Sequence, residues 1–413
     1  MDTLSRRRFL IASGVAGGTA LLAGSAGITW AQLQQRAADT PLVPGSAILV
    51  LVTLYGGNDG INTVIPYADS AYHDARPELA YAPADVLRLD DSLGLNPALK
   101  GLAELWRRDN LAIVRGAGYP QPDRSHFRSM DIWQTASPSR PSHTGWLGRW
   151  LDATGDDPVR AVNIGAVLPP LAVGAKATAA ALPLGKSSPL AADLGAALQG
   201  LGGADPADSP TQAMVCSSYR SERTVAATFS RALNPDGEAP DHKQPAAAGS
   251  GGGQQGLAQQ LDLVSRCIKA GVPTAAYSVS LGGFDTHADE RGTQQALLGT
   301  LDGAVSTFLA DMAGDPHGKG VVLVAYSEFG RRVQANASQG TDHGTAGPVF
   351  VAGTPVQGGF YGAQPSLTDL NNGDLKSDVD FRSVYAELLH RVLRADPEQV
   401  LGGSFPELGF VRT

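Results

Sequence analysis

Ser46-Ala-Ile-Leu-Val-Leu-Val-Thr-Leu54 runs without a charge into Tyr55-Gly56-Gly57-Asn58-Asp59-Gly60. A short unbroken apolar run that ends in glycines suits a strand buried on both faces, and such strands belong to sheets covered by helices. The rhythm recurs along the chain. A helix-period stretch at 97–108 leads to a strand at 111–114, and a further helix is expected over 125–135. A strand at 274–280, a helix at 293–312, strands at 320–327 and 348–352 and a helix at 381–393 follow. This alternation predicts a three-layer α/β/α sandwich around a mostly parallel sheet. Ligands of such folds gather at the carboxyl ends of the strands.

Outside that frame the pattern weakens. Residues 158–256 are rich in Ala, Leu, Gly and Pro, with helical stretches near 191–201 and 211–233, and read as an insertion or cap. Within it, 236–255 contains Ala-Ala-Ala-Gly-Ser-Gly-Gly-Gly-Gln-Gln, the composition of a flexible linker. A single domain is therefore expected over 45–413.

The chain opens with Ser5-Arg6-Arg7-Arg8-Phe9-Leu10 before an uncharged Ala/Gly/Leu-rich run. This resembles a twin-arginine signal peptide over 1–31, with small residues placed for cleavage after Ala26 or Ala31. The run is too glycine-interrupted for a stable membrane span, so a periplasmic or secreted protein without a span after cleavage is expected. Loss of a leader through Ala31 removes Asp2 and three arginines and moves the formal charge from -8 to -10. An acidic chain without a basic run excludes nucleic acid as the expected partner. Two cysteines, Cys216 and Cys267, are too few for a disulfide framework and lack metal-ligand spacing; one bridge and two buried thiols both remain open.

Ligand-type residues cluster just after the expected strands. Asn58 and Asp59 follow the first strand, either as turn residues or with the carboxylate projecting over the strand end. In Gly283-Phe-Asp-Thr-His287, residues two apart share a face of an extended segment, so Asp285 and His287 can ligate one cation. Glu328 and Arg331 follow the strand at 320–327, either as a surface ion pair or as an acid beside an anion-binding guanidinium. Gly340-Thr-Asp-His-Gly344 adds Asp342 and His343. Ser125 opens a helix, as an N-cap or as a hydroxyl in the positive helix field, and His126 beside it is a second ligand or base. One such cluster is ordinary; four at comparable topological positions indicate a site.

Gly56-Gly-Asn-Asp-Gly-Ile-Asn-Thr-Val-Ile-Pro-Tyr67, Arg124-Ser-His-Phe127, Thr144-Gly-Trp-Leu-Gly-Arg149, Gly283-Phe-Asp-Thr-His287, Ser327-Glu-Phe-Gly-Arg331, Gly340-Thr-Asp-His-Gly344 and Asp380-Phe-Arg-Ser-Val-Tyr385 together resemble the exported bacterial family catalogued as domain of unknown function 1501. That family resembles the alkaline phosphatase and sulfatase superfamily in fold. The resemblance implies Asp59 as a metal carboxylate, Ser125 as nucleophile, Asp285 with His287 on one metal, Glu328 as a strand-end acid and His343 as the last histidine. At two points the chain departs from the pattern. Ser327-Glu-Phe-Gly330 lacks the histidine of Asp-His-Gly, and the step from Asp285 to His287 is short, so a second metal needs Asp342 in place of the missing ligand.

The expectation is thus an exported, metal-dependent hydrolase of a phosphate or sulfate ester, small or polymeric. Asp59, Asp285, His287, Glu328, Asp342 and His343 would hold the metal, Ser125 would attack and Arg331 would hold the anion. Mixed nitrogen and oxygen ligands without thiolate suit Zn, Mn, Mg or Ca. One alternative is a non-catalytic exported binding or assembly protein with a degenerate metal site; relatives are often encoded beside another exported family, which implies a protein partner. Another, an oxidoreductase with a complex cofactor, lacks any cysteine motif or dinucleotide fingerprint.

Overall fold

Leu54, Leu281 and Ser327 end three neighbouring strands at one level of a sheet. They belong to a computed structural model that describes residues 28, 30–155, 157–165, 167–184 and 256–412. The main strands are β1 (Ile48–Leu54), β2 (Leu111–Gly118), β3 (Ala276–Leu281), β4 (Val321–Ser327), β5 (Gly347–Ala352), β6 (Gly359–Tyr361) and β7 (Val379–Asp380). Their order is β6-β2-β5-β4-β1-β3, with β7 also on β2. β1 runs parallel to β3 and β4, and β2 parallel to β6 and β7, while β5 is antiparallel to both neighbours. The sheet is mixed and mostly parallel, as expected, and every residue of β1 is buried.

Helices cover both faces. The principal ones are α1 (Lys100–Arg107), α2 (His126–Thr135), α3 (Gly256–Lys269), α4 (Glu290–Gly314) and α5 (Phe381–Glu387). Tyr326 of β4 stacks on Trp133 of α2 and meets Tyr385 of α5 edge-on. Tyr277 of β3 lies against Cys267 of α3. In register Tyr277 pairs with Val50 and Tyr326 with Thr53. Val50 and Thr53 are an odd number of residues apart, so the two tyrosines lie on opposite faces. The expected helix at 381–393 is α-helical only to Glu387 and continues as a π turn over Leu388–Val392.

Register decides where the loops go. Leu54 pairs with Leu281 on one side and with Ser327 on the other, so the segments after all three strands emerge together. A hairpin of Arg331–Ala335 and Thr341–His343 sets His343 opposite Arg331. The segment Gly340 to Gly344, expected only to precede a strand, thus contains one. Beneath it, Ile61, Ile65, Tyr72, Tyr81 and Val333 form a separate apolar cluster.

The chain groups into two compact units, of which the sheet just described occupies residues 43–142, 256–269 and 275–412. The other comprises described residues in 28–42, 143–184 and 270–274. It holds the helices Trp30–Asp39 and Trp146–Thr154 and a parallel strand pair, Ala161–Ile164 with Ala180–Leu182. The leader before Ile28, the helical stretches at 191–201 and 211–233, the linker at 236–255 and Cys216 lie outside the described residues. Among those described, no helix is long and apolar enough to cross a membrane. Cys267 is a buried free thiol, and burial pushes its pKa up to about 12.

Candidate metal centre

Three imidazoles converge on one carboxylate. α2 starts at His126, Asp285 and His287 project from the segment after β3, and His343 comes from the hairpin. The Nε2 atoms of His126, His287 and His343 stand 3.3, 3.0 and 3.3 Å from Asp285 Oδ1. Ligating atoms of His126, Asp285 and His343 all lie within 4.8 Å of one another.

The other ring nitrogens face acceptors. His126 Nδ1 lies 2.8 Å from Glu328 Oε1, His343 Nδ1 2.8 Å from the Arg124 carbonyl, and His287 Nδ1 3.4 Å from Asp342 Oδ1. Carboxylate and carbonyl oxygens accept only, so Nδ1 of His126 and of His343 donates to its partner, while the Nε2 atoms are turned toward Asp285 Oδ1. His126 Nε2 is buried without a hydrogen-bond partner. The donor set and this orphaned atom fit a bound cation, with outer partners fixing each ring.

Electrostatics agree. Burial works to raise the Asp285 carboxyl, but the hydrogen bond and charge of Arg331 prevail and hold it at about 2, so it stays ionised. Burial lowers the His343 pKa, which keeps a lone pair available. The hydrogen bond to Glu328 raises that of His126 against the effect of burial.

Several expected roles change. Glu328 is not in the inner cluster: its buried carboxylate accepts from His126 Nδ1, the Gly56 amide at 2.9 Å and the Ser327 hydroxyl at 2.9 Å, so it orients His126 instead. Asp342 stands behind His287 in the same way. His126, expected as a second ligand or base beside Ser125, stands in the ligand group. Arg331 is not available to hold an anion. Its buried guanidinium donates to the carbonyls of Gly57, Thr341, Gly56 and Phe284 and to Asp285 Oδ1 at 2.8 Å, locking three loops together.

Asp59 is also diverted. Its Oδ2 pairs with Arg76 Nη1, its Oδ1 accepts Arg76 Nη2 at 3.0 Å and the Ile61 amide at 3.2 Å, and both side chains of the pair are fully buried. It caps the short helix Gly60–Thr63. Neither Arg76 nor Glu290, whose buried carboxyl lies against Asp59 and accepts the Thr341 hydroxyl at 2.6 Å, was singled out from the sequence.

Ser125 occupies the N-cap position of α2, exposed, and its hydroxyl makes no capping bond. Asp123 Oδ1 accepts the Ser125 amide at 2.7 Å. Beside the centre opens a cleft of about 670 Å³ lined by Tyr119, Arg124, Phe329, Asn371, Asp374 and Lys376, among others. Phe329 packs on the rings of both His126 and His343, and so forms a wall common to cleft and centre.

A family model described as protein of unknown function, DUF1501, matches residues 115–404. No curated protein matches the sequence. Among solved structures, the chain is similar to Ps i-CgsB, with TM-score 0.39 and 11% identity over 87% of this chain and 75% of that one. It is also similar to a protein in the alkaline phosphatase superfamily from Vibrio parahaemolyticus, with TM-score 0.36 and 11% identity over 83% and 74%. A third is the alkaline phosphatase of the Antarctic bacterium TAB5, with TM-score 0.35 and 10% identity over 88% and 100%. At these scores the likeness carries no inference about chemistry, which rests on the side chains described above.

Proposed function

The chain belongs to the DUF1501 family, and on that footing we propose that it is an exported, metal-dependent hydrolase of a phosphate or sulfate ester. The convergence of three imidazole Nε2 atoms on the ionised Asp285 carboxylate carries this reading. His126, His287, His343 and Asp285 would hold a divalent cation, and nitrogen with oxygen donors suits Zn or Mn, with Mg and Ca less well matched to three imidazoles. Such an ion supplies positive charge that offsets the ester's and acidifies a nearby hydroxyl.

The chain's own groups do the rest. Glu328, Asp342 and the Arg124 carbonyl keep the three rings turned inward, and Arg331 fixes Asp285. Ser125, adjacent in sequence to His126 and unengaged as a cap, is the hydroxyl that would attack phosphorus or sulfur. The cleft that shares Phe329 with the centre would receive the remainder of the ester. Export through the leader at 1–31 belongs to the same proposal.

One observation favours a second reading, an exported binding or assembly protein that keeps the cation without turnover. The Arg331 guanidinium is spent on the scaffold and holds no anion. Metal analysis of the purified protein, with a panel of phosphate and sulfate esters assayed in added Zn, Mn, Mg or Ca, separates the readings. Bound metal with turnover that Asp285→Asn abolishes supports the hydrolase. Metal without turnover on any ester supports the binding protein, and absence of metal binding sinks both.

A further inference from the structure

We propose that the cleft beside the metal centre holds a second anionic group of the substrate, a phosphate, sulfate or carboxylate, on the Arg124 guanidinium. The inference rests on the hydrolase reading above and adds the class of ester: one that carries a further negative charge away from the bond to be cleaved.

Three segments build this subsite. Successive side chains of a strand point to opposite sides. In the strand Arg331–Ala335, Arg331 is buried on Asp285, while its neighbour Arg332 reaches Asp374, donating its Nε to Oδ1 at 3.3 Å and its Nη2 to the Asn372 carbonyl at 2.5 Å. Asp374 starts the second strand of a tight antiparallel pair, Leu370–Asn371 with Asp374–Leu375. Asn372 and Gly373 close that pair with φ of 54° and 87°, the left-handed backbone that a two-residue hairpin turn demands at both positions. From the other side Arg124 donates its Nε to Asp374 Oδ2 at 2.9 Å and pairs with the same oxygen through Nη2.

One carboxylate thus serves two guanidiniums, and it can offset only one of them. The Asp374 side chain is 2% exposed, whereas that of Arg124 is 45% exposed, and Arg124 Nη1 has no hydrogen-bond partner among the described residues. Of the other charged groups lining the cleft, Asp123 gives Oδ1 to the Ser125 amide, and Lys376 pairs with the exposed Asp369. The free donor on the surplus cation is Arg124, and a guanidinium suits the planar, two-point recognition of an oxyanion.

Arg124 also ties the cleft to the centre. Its carbonyl accepts from His343 Nδ1 at 2.8 Å, and its side chain lines the cleft. An anion on the guanidinium lies one arginine side chain away from the backbone that holds a metal-facing ring. The cleft, at about 670 Å³, has the size of sites that take whole small molecules, so it has room for the ester beyond its reacting group.

The test measures, by calorimetric titration of the purified protein in added Zn²⁺, the affinity of alkanediol bisphosphates of increasing chain length against the matching alkanol monophosphates. At the length that spans centre and cleft, the bisphosphate should bind about tenfold or more tighter, the scale of one charge-assisted hydrogen bond. Arg124→Gln keeps the backbone carbonyl and leaves Asp374 paired with Arg332, and it should reduce that ratio to the statistical factor of a ligand with two equivalent ends. Arg332→Gln should reduce it too, because Asp374 then offsets Arg124 alone, and it carries the same decision where Arg124→Gln does not fold. A wild-type ratio at the statistical factor for every length overturns the subsite, and phosphate release from both ester types would leave the hydrolase reading standing. A length-dependent preference without phosphate release keeps the subsite and overturns the hydrolase. A preference that survives both substitutions overturns the assignment to Arg124.

Discussion

His287 Nε2 and His343 Nε2 face each other at 2.9 Å, and both stand by Asp285 Oδ1, at 3.0 and 3.3 Å. A cation among these nitrogens and Asp285 would engage both of them and also satisfy the orphaned His126 Nε2.

Metal should therefore stabilise the fold. Added Zn²⁺ or Mn²⁺ at a hundredfold excess over Kd is expected to contribute about 2.7 kcal/mol, seen as a rise in Tm that a chelator reverses. His343→Ala should remove most of that rise. An identical response in wild type and variant would place the ion elsewhere.

Glu328 tests the division between ligands and the groups behind them. It touches His126 Nδ1 and stands outside the inner cluster, so Glu328→Gln should retain metal but weaken its binding by about 10- to 100-fold. Titration calorimetry reads this directly. Unchanged affinity would show that His126 needs no carboxylate to orient it.

Much of this arrangement is written locally. The unbroken apolar run of β1 announces a buried strand, and the two-residue step from Asp285 to His287 places both on one face. What local pattern does not carry is which carboxylate reaches inward. That depends on the hairpin register setting His343 opposite Arg331, and on Arg76, 17 residues from Asp59, being buried. An arginine before Pro77 in a polar segment reads as surface. Its burial is a tertiary fact, and it turns an expected ligand into half of an ion pair. Glu328 stands behind His126 for a similar reason: the order of groups along a line from scaffold to centre has no signature in sequence.

Glu290 makes stability depend on pH. In the folded chain its carboxyl keeps its proton up to about 9, while in the unfolded chain it ionises near about 4.3. Between those values the folded state binds more protons, so the stability contributed by this group is full below the lower value and is lost as pH rises through the window. Glu290→Gln has no such proton to lose. Urea midpoints should show the variant gaining on wild type from pH 5 to pH 9, and a difference independent of pH would contradict the assignment.

The proposed leader makes a separate prediction. Twin-arginine export reads the guanidinium pair, for which lysine is a poor substitute. Replacing Arg6 and Arg7 by Lys should leave the protein in the cytoplasm, measured by cell fractionation. Undiminished periplasmic accumulation would rule out that route.

Ser125 separates catalysis from binding. As a working N-cap its loss would cost about 1 kcal/mol, but its hydroxyl makes no capping bond, and the nearby carboxylate that meets its amide belongs to Asp123. Ser125→Ala should therefore change unfolding free energy by less than about 0.5 kcal/mol and leave the metal count unaltered. If the hydroxyl is the nucleophile, ester hydrolysis should nonetheless fall to background. The three readouts together distinguish the cases: lost turnover with stability and metal intact identifies an attacking group, whereas full turnover removes Ser125 from the chemistry and leaves solvent as the attacking species. A loss of metal in parallel with turnover would instead make the residue part of the support for His126, its neighbour at the first turn of α2.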